Sequence, residues 1–543
     1  MIARSAISRQ AQRAVRQSWT QSTRGYAAAS GSFQYQTADS NGIKIASRDI
    51  AGPVSTVALV SRAGTRYETW PGLAEALDRY AFRSTERRST LRIQRESELL
   101  GAELQSWHGR ENLVVGAKFL RDDLPYFLEL LAEVATLTKF QPHVIHEEIQ
   151  PLAEMNVKKH LANTVALATE SAHGLAFHRG LGVPVVPTSS AAIRKYVDEG
   201  TLSDYAQQAF SKPNFAIVGN GVESGEFQKW VGEFFSDVGD SPAGALKTEQ
   251  AKYYGGEERI AHGSGNTLVL GFPGSSSATG AFYKSEIAVL AALLGGESSI
   301  KWTPGFSLLA KANADTPLLK ISTKSHIYTD AGLLTVTLDG TTRDINQTAP
   351  KVVEALKAVA AGVSSEDLQK AKALAKFKEL EYGASTHAGI ELTGAGLVRD
   401  GKPYQIDSVA SAIDGVTAEK VQQVAKEALE NKASVSAVGD LYALPYAEEL
   451  GLHVYRLILP RAQGDRLLER TNANAFCARN SYNRYIAVAS RVVRRSLKEE
   501  KRLQAERRGE MDLRFAKWEN GKQQEMKNVA DASAEASAQQ ASQ

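Results

Sequence analysis

Glu75, Asp78 and Arg79 stand at i, i+3 and i+4 in the stretch GLAEALDRYAFRST, residues 72–85. On a helix that spacing puts three side chains on one face. Downstream, HEEIQPLAEM adds Glu147 and Glu154, two helical turns apart. Four carboxylates are the donors that Mg²⁺ or Ca²⁺ prefers. Arg79 argues against a cation among them, because a guanidinium stays protonated, cannot ligate and brings its own positive charge. Glu75 and Arg79, acid first, have instead the better orientation for a helical ion pair worth ~0.3–0.5 kcal/mol. The other chemistry-bearing residues are scattered. HVIHEE (His143, His146, Glu147) has neither H-E-x-x-H nor H-x-x-E-H order and reads as the start of a helix. His173 and His178, in ESAHGLAFHRG, read as core or surface histidines. Cys477 is the sole cysteine, which excludes an internal disulfide and any multi-cysteine zinc or iron–sulfur site. No haem, quinone or cluster ligand pattern is present, so no cofactor and no metal are assigned.

The elements that must position these residues alternate between strands and helices, an α+β pattern. FQYQTADSNGIKIASRD and VSTVALVSRAGTRYE read as strands joined by turns, and LPYFLELLAEVATLTKF (124–140) carries apolar residues at helical spacing. Helical stretches over 146–180 and 190–211 come next, and the buried strand FAIVGNG closes the half. The pattern then restarts. TLVLGFPG is a strand, YKSEIAVLAALLGG a helix stopping at a Gly pair, and PLLKISTKSHIYTDAGLLTVTLDG two strands and a turn. TAPKVVEALKAVAAG and the Ser-capped SSEDLQKAKALAKFKELEYG are helices, and SVSAVGD ends the half as FAIVGNG ended the first. The helix–turn–helix at 124–155 has its counterpart near 348–380. Two such correspondences in the same order indicate a duplicated domain. The expected organisation is a domain over 33–235, a linker over 236–258, a second domain over 259–454, an irregular junction over 455–478, a helical segment over 479–527 and a low-complexity end over 528–543.

The net charge of +3 gives no argument for a nucleic-acid partner, and no apolar run approaches the ~20 residues that cross a bilayer. The start of the chain differs from the rest. Arg4, Arg9, Arg13, Arg16 and Arg24 precede the first acid, Asp39, among Ser, Gln and Ala. That is the composition of a mitochondrial transit peptide over 1–26, with Arg24 three residues before a cut after Tyr26.

A strand ending in GTRYE, then Pro-Gly, then a helix with paired polar positions resembles the pitrilysin-type zinc peptidases, whose metal helix carries H-x-x-E-H. The resemblance spans about 33–454 and implies two similar metallopeptidase-like domains in tandem. It places Glu75 and Arg79 at the two histidine positions and Asp78 at the water-activating glutamate. Glu147 and Glu154 fall on the later helix that completes the ligand set. On this reading the motif is degenerate and the catalytic and metal sets are empty. AGPVSTVALVSRAGTRYE, FAIVGNGV and AVGDLYALPYAEELGL are most similar to the core-protein-2 branch of the family, in the mitochondrial ubiquinol–cytochrome c reductase (complex III). That branch implies a non-catalytic subunit paired with a core protein 1-like chain, near cytochrome b, peripheral on the matrix side of the inner membrane. Its membrane contact would be indirect. The rival branch is the alpha-type subunit of the mitochondrial processing peptidase, which carries a long glycine-rich loop. The corresponding LLGGESSIKWTPGFS has only Gly295, Gly296 and Gly305.

Beyond 479, SYNRYIAVASRVVRRSLKEEKRLQAERRGEMDLRFAKWENGKQ resembles the epsilon subunit of mitochondrial ATP synthase, a central-stalk component. Its mixed charges suit a solvated or protein-packed helix better than a phosphate binder. The two parent complexes are separate machines. The chain therefore reads as two neighbouring genes joined, either by gene prediction or in a precursor that is later separated.

Overall fold

The computed structural model describes residues 34–454 apart from 51, 241–245, 247, 297–304, 306 and 317. The transit-peptide reading with Arg24 and Tyr26, Cys477 and the epsilon-like segment lie outside the described residues.

Six strands form the first sheet: β1 (Gln36–Ser40), β2 (Ile43–Arg48), β3 (Val54–Ser61), β4 (Glu103–His108), β5 (Leu113–Leu120) and β6 (Phe215–Asn220), in the order β1-β2-β6-β3-β5-β4. Five form the second: β7 (Gly256–Ala261), β8 (Asn266–Pro273), β9 (Lys320–Ile327), β10 (Gly332–Gly340) and β11 (Ser434–Gly439), in the order β7-β11-β8-β10-β9. Remove β1 and the two orders coincide. The directions agree as well: β2 with β6 and β7 with β11 are the parallel pairs, and the remaining neighbours are antiparallel. β7 begins inside the stretch read as a linker.

The helices repeat too. In the first half α1 (Leu73–Tyr80) comes after β3, and α2 (Leu124–Thr136), α3 (Gln150–Ala162) and α4 (Thr164–Phe177) come after β5. In the second, α5 (Ser285–Leu294) comes after β8, and α6 (Thr342–Ala361), α7 (Ser365–Ala384) and α8 (Thr386–Asp400) come after β10. Local chemistry sets the boundaries. Ser364 caps α7 by accepting from the Asp367 N–H, and α5 stops at Gly295 with φ 64°.

Alternation along β3 shows why its central run, Val57 to Val60, is continuously apolar. Val57 and Leu59 enter the core beneath the first half's own helices, while Ala58 and Val60 enter a second core on the opposite face. That second face is covered by Ile390, Leu397 and Val398 of α8, a helix from the other half. The exchange is reciprocal, since Ala168 and Ala172 of α4 pack on Val269 and Val438 of the second sheet. Asn163 starts the crossing by accepting from the Val165 and Ala166 N–H groups, and Ser385 does so for α8 through the Ala388 N–H. Gly394 lets α8 sit directly on the sheet, because a Cβ there would lie 2.4 Å from Val60 Cβ. Among the described residues no helix is long and apolar enough to cross a membrane.

Candidate functional site

α1 is anchored at its start by a carboxylate. Gly72 adopts φ 96°, and Glu68 accepts hydrogen bonds from the Gly72 and Ala74 N–H groups at 3.2 and 3.3 Å. Burial pushes the Glu68 carboxyl up to about 7, against those hydrogen bonds and the nearby His108. Leu73, Ala74, Ala76, Leu77 and Tyr80 drive the helix into the core and carry Glu75 in with them, at 1% exposure. Arg79 Nε donates to Glu75 Oε1 at 3.0 Å, the pair expected from the i, i+4 spacing, and Asn156 Nδ2 of α3 donates to the same oxygen at 2.9 Å. Glu75 Oε2 is buried and has no hydrogen-bond partner among the described residues. Asp78 faces β4, where its Oδ2 lies 2.7 Å from His108 Nδ1. The other ring nitrogen of His108 lies 3.4 Å from the Val185 carbonyl oxygen. Burial lowers the imidazole's pKa, but the Asp78 hydrogen bond and charge outweigh it and the net direction is upward.

The structure does not bring the later acids to this group. Residues 145–149 form a π-helical turn, and its wider winding rotates the residues before it away from those after it. Glu147 is exposed on that turn. Glu154 is held by Arg194, whose Nη2 donates to Glu154 Oε2 at 2.7 Å, and this keeps its pKa low. Asn156 takes the place facing Glu75. His143 and His146 are exposed. Buried His173 donates from Nδ1 to the Thr169 carbonyl oxygen at 2.7 Å and accepts at Nε2 from the Tyr328 hydroxyl at 2.9 Å, a link between halves, and His178 stacks on Tyr254. Among the described residues no three His, Cys, Asp or Glu side chains are grouped so as to hold a metal ion.

A second buried charge cluster joins the halves where their equivalent hairpin tips meet. Arg66, just past β3, donates to Glu111 Oε1 and Asp330 Oδ1 through Nη1 and to Asp330 Oδ2 through Nη2, each at 2.7 Å. Thr329 donates its N–H and hydroxyl to the two Glu111 oxygens at 2.9 and 2.6 Å. Arg110 pairs with Glu170 and donates to the Leu181 and Val183 carbonyls. The sequence offers SWHGREN as the only local sign of His108, Arg110 and Glu111; their partners lie far away along the chain.

The arrangement can therefore pair charges and lock two similar halves together, but Arg79 offers only donors where a ligand would need a lone pair. Residues 44–187 match the family described as Insulinase (Peptidase family M16), and 197–374 match the Peptidase M16 inactive domain. Over 459 residues, 84% of this chain and 100% of the other, it is 46% identical to the mitochondrial cytochrome b-c1 complex subunit 2 of Neurospora crassa. The chain belongs to the cytochrome b-c1 complex subunit 2 family. The member from Yarrowia lipolytica is 33% identical over 420 residues, 77% of this chain and 96% of that one. Outside the subunit 2 family, the mitochondrial-processing peptidase subunit alpha of Solanum tuberosum is 26% identical over 418 residues, 75% of this chain and 82% of its own. Residues 478–521 match the Mitochondrial ATP synthase epsilon chain family.

Proposed function

We propose that residues 33–454 serve as a non-catalytic core subunit of the mitochondrial cytochrome b-c1 complex, where they support assembly and stability. The subunit pairs with a core protein 1-like chain, lies on the matrix side near cytochrome b, and touches the membrane through other subunits. The observation that carries the reading is the Arg79 guanidinium on Glu75. The peptidase family implies a zinc ion, and the residues present do not fit one: the first ligand position is a buried carboxylate already bound to a cation and an amide, and the second is that cation. A zinc-dependent peptidase step has no residues to carry it in this slot. The epsilon-like segment is a separate module appended to the subunit.

The test is native separation of mitochondrial complexes, with peptides from 100–440 and 490–520 followed by mass spectrometry. The subunit reading expects the first set to migrate with cytochrome b. It fails if those peptides migrate apart from cytochrome b, or if the pure chain holds one zinc and raises presequence cleavage when mixed with a catalytic partner. The same measurement tests the two-gene reading, which fails if both peptide sets stay on one polypeptide in one complex.

A further inference from the structure

The slot between α1, β4 and α3 is filled by the Glu75, Asp78 and His108 cluster. Its topological equivalent in the second half, between α5, β9 and α7, is instead a cavity of about 670 Å³. Alanines form much of one wall (Ala288, Ala291 and Ala292 of α5, Ala375 of α7). The opposite wall contains six consecutive residues, Thr323 to Tyr328. Successive side chains of a strand point to opposite faces, so a cavity lined by an unbroken run lies along the strand's edge. Among the described residues β9 is the edge strand of its sheet and pairs only with β10, while Gly296 lies against its start at Ile321 and Ser322. Its free edge presents backbone donors and acceptors ready for another strand.

Polar groups in this cavity are unsatisfied. Tyr404 is 4% exposed, yet its hydroxyl is buried without a hydrogen-bond partner among the described residues, and so is Thr323 Oγ1. Glu379 lines the cavity and makes no hydrogen bond or ion pair among the described residues, and burial raises its pKa. Lys324 and Lys378 are exposed at the rim and leave it unpaired. The site wants a chain with small side chains, free backbone groups and a cation. The described chain begins beside it. Tyr35 N–H donates to Gln405 Oε1 at 3.3 Å, Gln405 Nε2 donates back to the Tyr35 carbonyl at 3.2 Å, and Gln34 Nε2 reaches Asp407 at 3.4 Å. Gln405 adjoins Tyr404. The residues directly upstream are AAASGSF, 27–33, which extended span ~23 Å.

We propose that Ala27–Phe33 docks in this cavity as an added strand along the free edge of β9, its small side chains against the alanine wall and its amino end at Glu379. The amino-end contact rests on the transit peptide being cut after Tyr26, which leaves the Ala27 ammonium as the cation; the strand addition does not.

Two chains that differ only at the amino end test this, one beginning at Ala27 and one at Gln34. Hydrogen exchange of the outward amides of Thr323–Ile327 should quicken at least about tenfold on truncation. Adding the peptide AAASGSFQ should restore protection. Acetylating that peptide, or Glu379→Gln in the chain, should weaken its binding by about tenfold, as for one lost charge-assisted hydrogen bond. Equal exchange in both chains with no peptide binding overturns the proposal. So does protection that arises only when other complex subunits are added, which would assign the edge to a partner. A mature N-terminus other than Ala27 in mitochondrial material overturns the amino-end contact alone, and peptide binding decides the strand addition separately.

Discussion

Replacing Arg79 by alanine isolates what holds the filled slot together. Glu75 is 1% exposed, and among the described residues Arg79 is its one ion-pair partner and Asn156 its other hydrogen-bond donor. Removing one partner of a fully buried pair costs about 3–5 kcal/mol, because the other charge is left desolvated. The Arg79 side chain is 30% exposed, so water reaches the gap and the expected cost falls to about 2–3 kcal/mol. For a half of this size that lowers Tm by about 5–10 °C. Glu75→Leu/Arg79→Leu removes both charges and should lie within about 1 kcal/mol of the parent, since an apolar pair of similar volume often substitutes for a buried ion pair. The assay is a double-mutant cycle in urea built from Glu75→Leu, Arg79→Leu and their double, with Arg79→Ala measured beside it, each midpoint read by near-ultraviolet circular dichroism and zinc content measured alongside. If Arg79→Ala changes stability by less than about 0.5 kcal/mol, or if the single changes simply add to the double, the two side chains are not coupled and the ion pair does not hold the slot.

Arg66→Ala should destabilise the join between halves by about 3–5 kcal/mol, since Glu111 and Asp330 would keep buried charges without a cation, and limited proteolysis should then cut between 236 and 258. Burial raises the Asp330 pKa, but the hydrogen bonds from Arg66 and the Ala251 N–H together with the Arg66 charge outweigh it, and the net direction is down. The contribution of Asp330 is therefore present above ~pH 4 and fades as pH falls through its lowered folded value, which acid melts of the parent should show. His108 has the opposite sign. Its raised pKa gives stability that is complete below ~pH 6.5 and lost as pH rises through the folded value, and Asp78→Asn should flatten the slope of stability over that window. Gly394→Val should cost at least about 1–3 kcal/mol, because the new side chain meets Val60 at the sheet and would lever α8 away; a melt with an unchanged midpoint would contradict the close packing.

Much of the fold was legible in the sequence. VSTVALVS, FAIVGNG and SVSAVGD read as strands because runs buried on both faces have no alternation to hide, and the repeated order of elements shows as repeated sequence. The i, i+4 pair on α1 was legible for the same local reason. What the sequence does not carry is which sheet a helix covers. The stretch 146–180 reads as one helical region of the first half, whereas its second part leaves at Asn163 for the other half's sheet. Alanines at 168 and 172 suit either destination, so periodicity alone cannot choose. The partners of α1 were hidden similarly. Glu154, two turns beyond Glu147, looks like part of a face until the π-helical turn at 145–149 shifts the register and Asn156 arrives instead.

The two equivalent slots have opposite contents, and that difference can be used against the docking proposal. In the first half, charges on α1 fill the slot with contacts to α3 and β4. In the second, α5 presents alanines and the slot stays open at about 670 Å³. An empty cavity is a stability deficit, and filling one commonly gains about 0.5–2 kcal/mol. Ala291→Leu on the cavity wall should give a gain of that size in a chain beginning at Gln34. In a chain beginning at Ala27 the same leucine competes with the docked segment, so the gain should vanish or reverse, and exchange along β9 should quicken. Thermal melts of the four proteins decide the matter. Equal gains in both backgrounds would mean that the alanine wall is merely loose packing, with nothing of this chain laid against it.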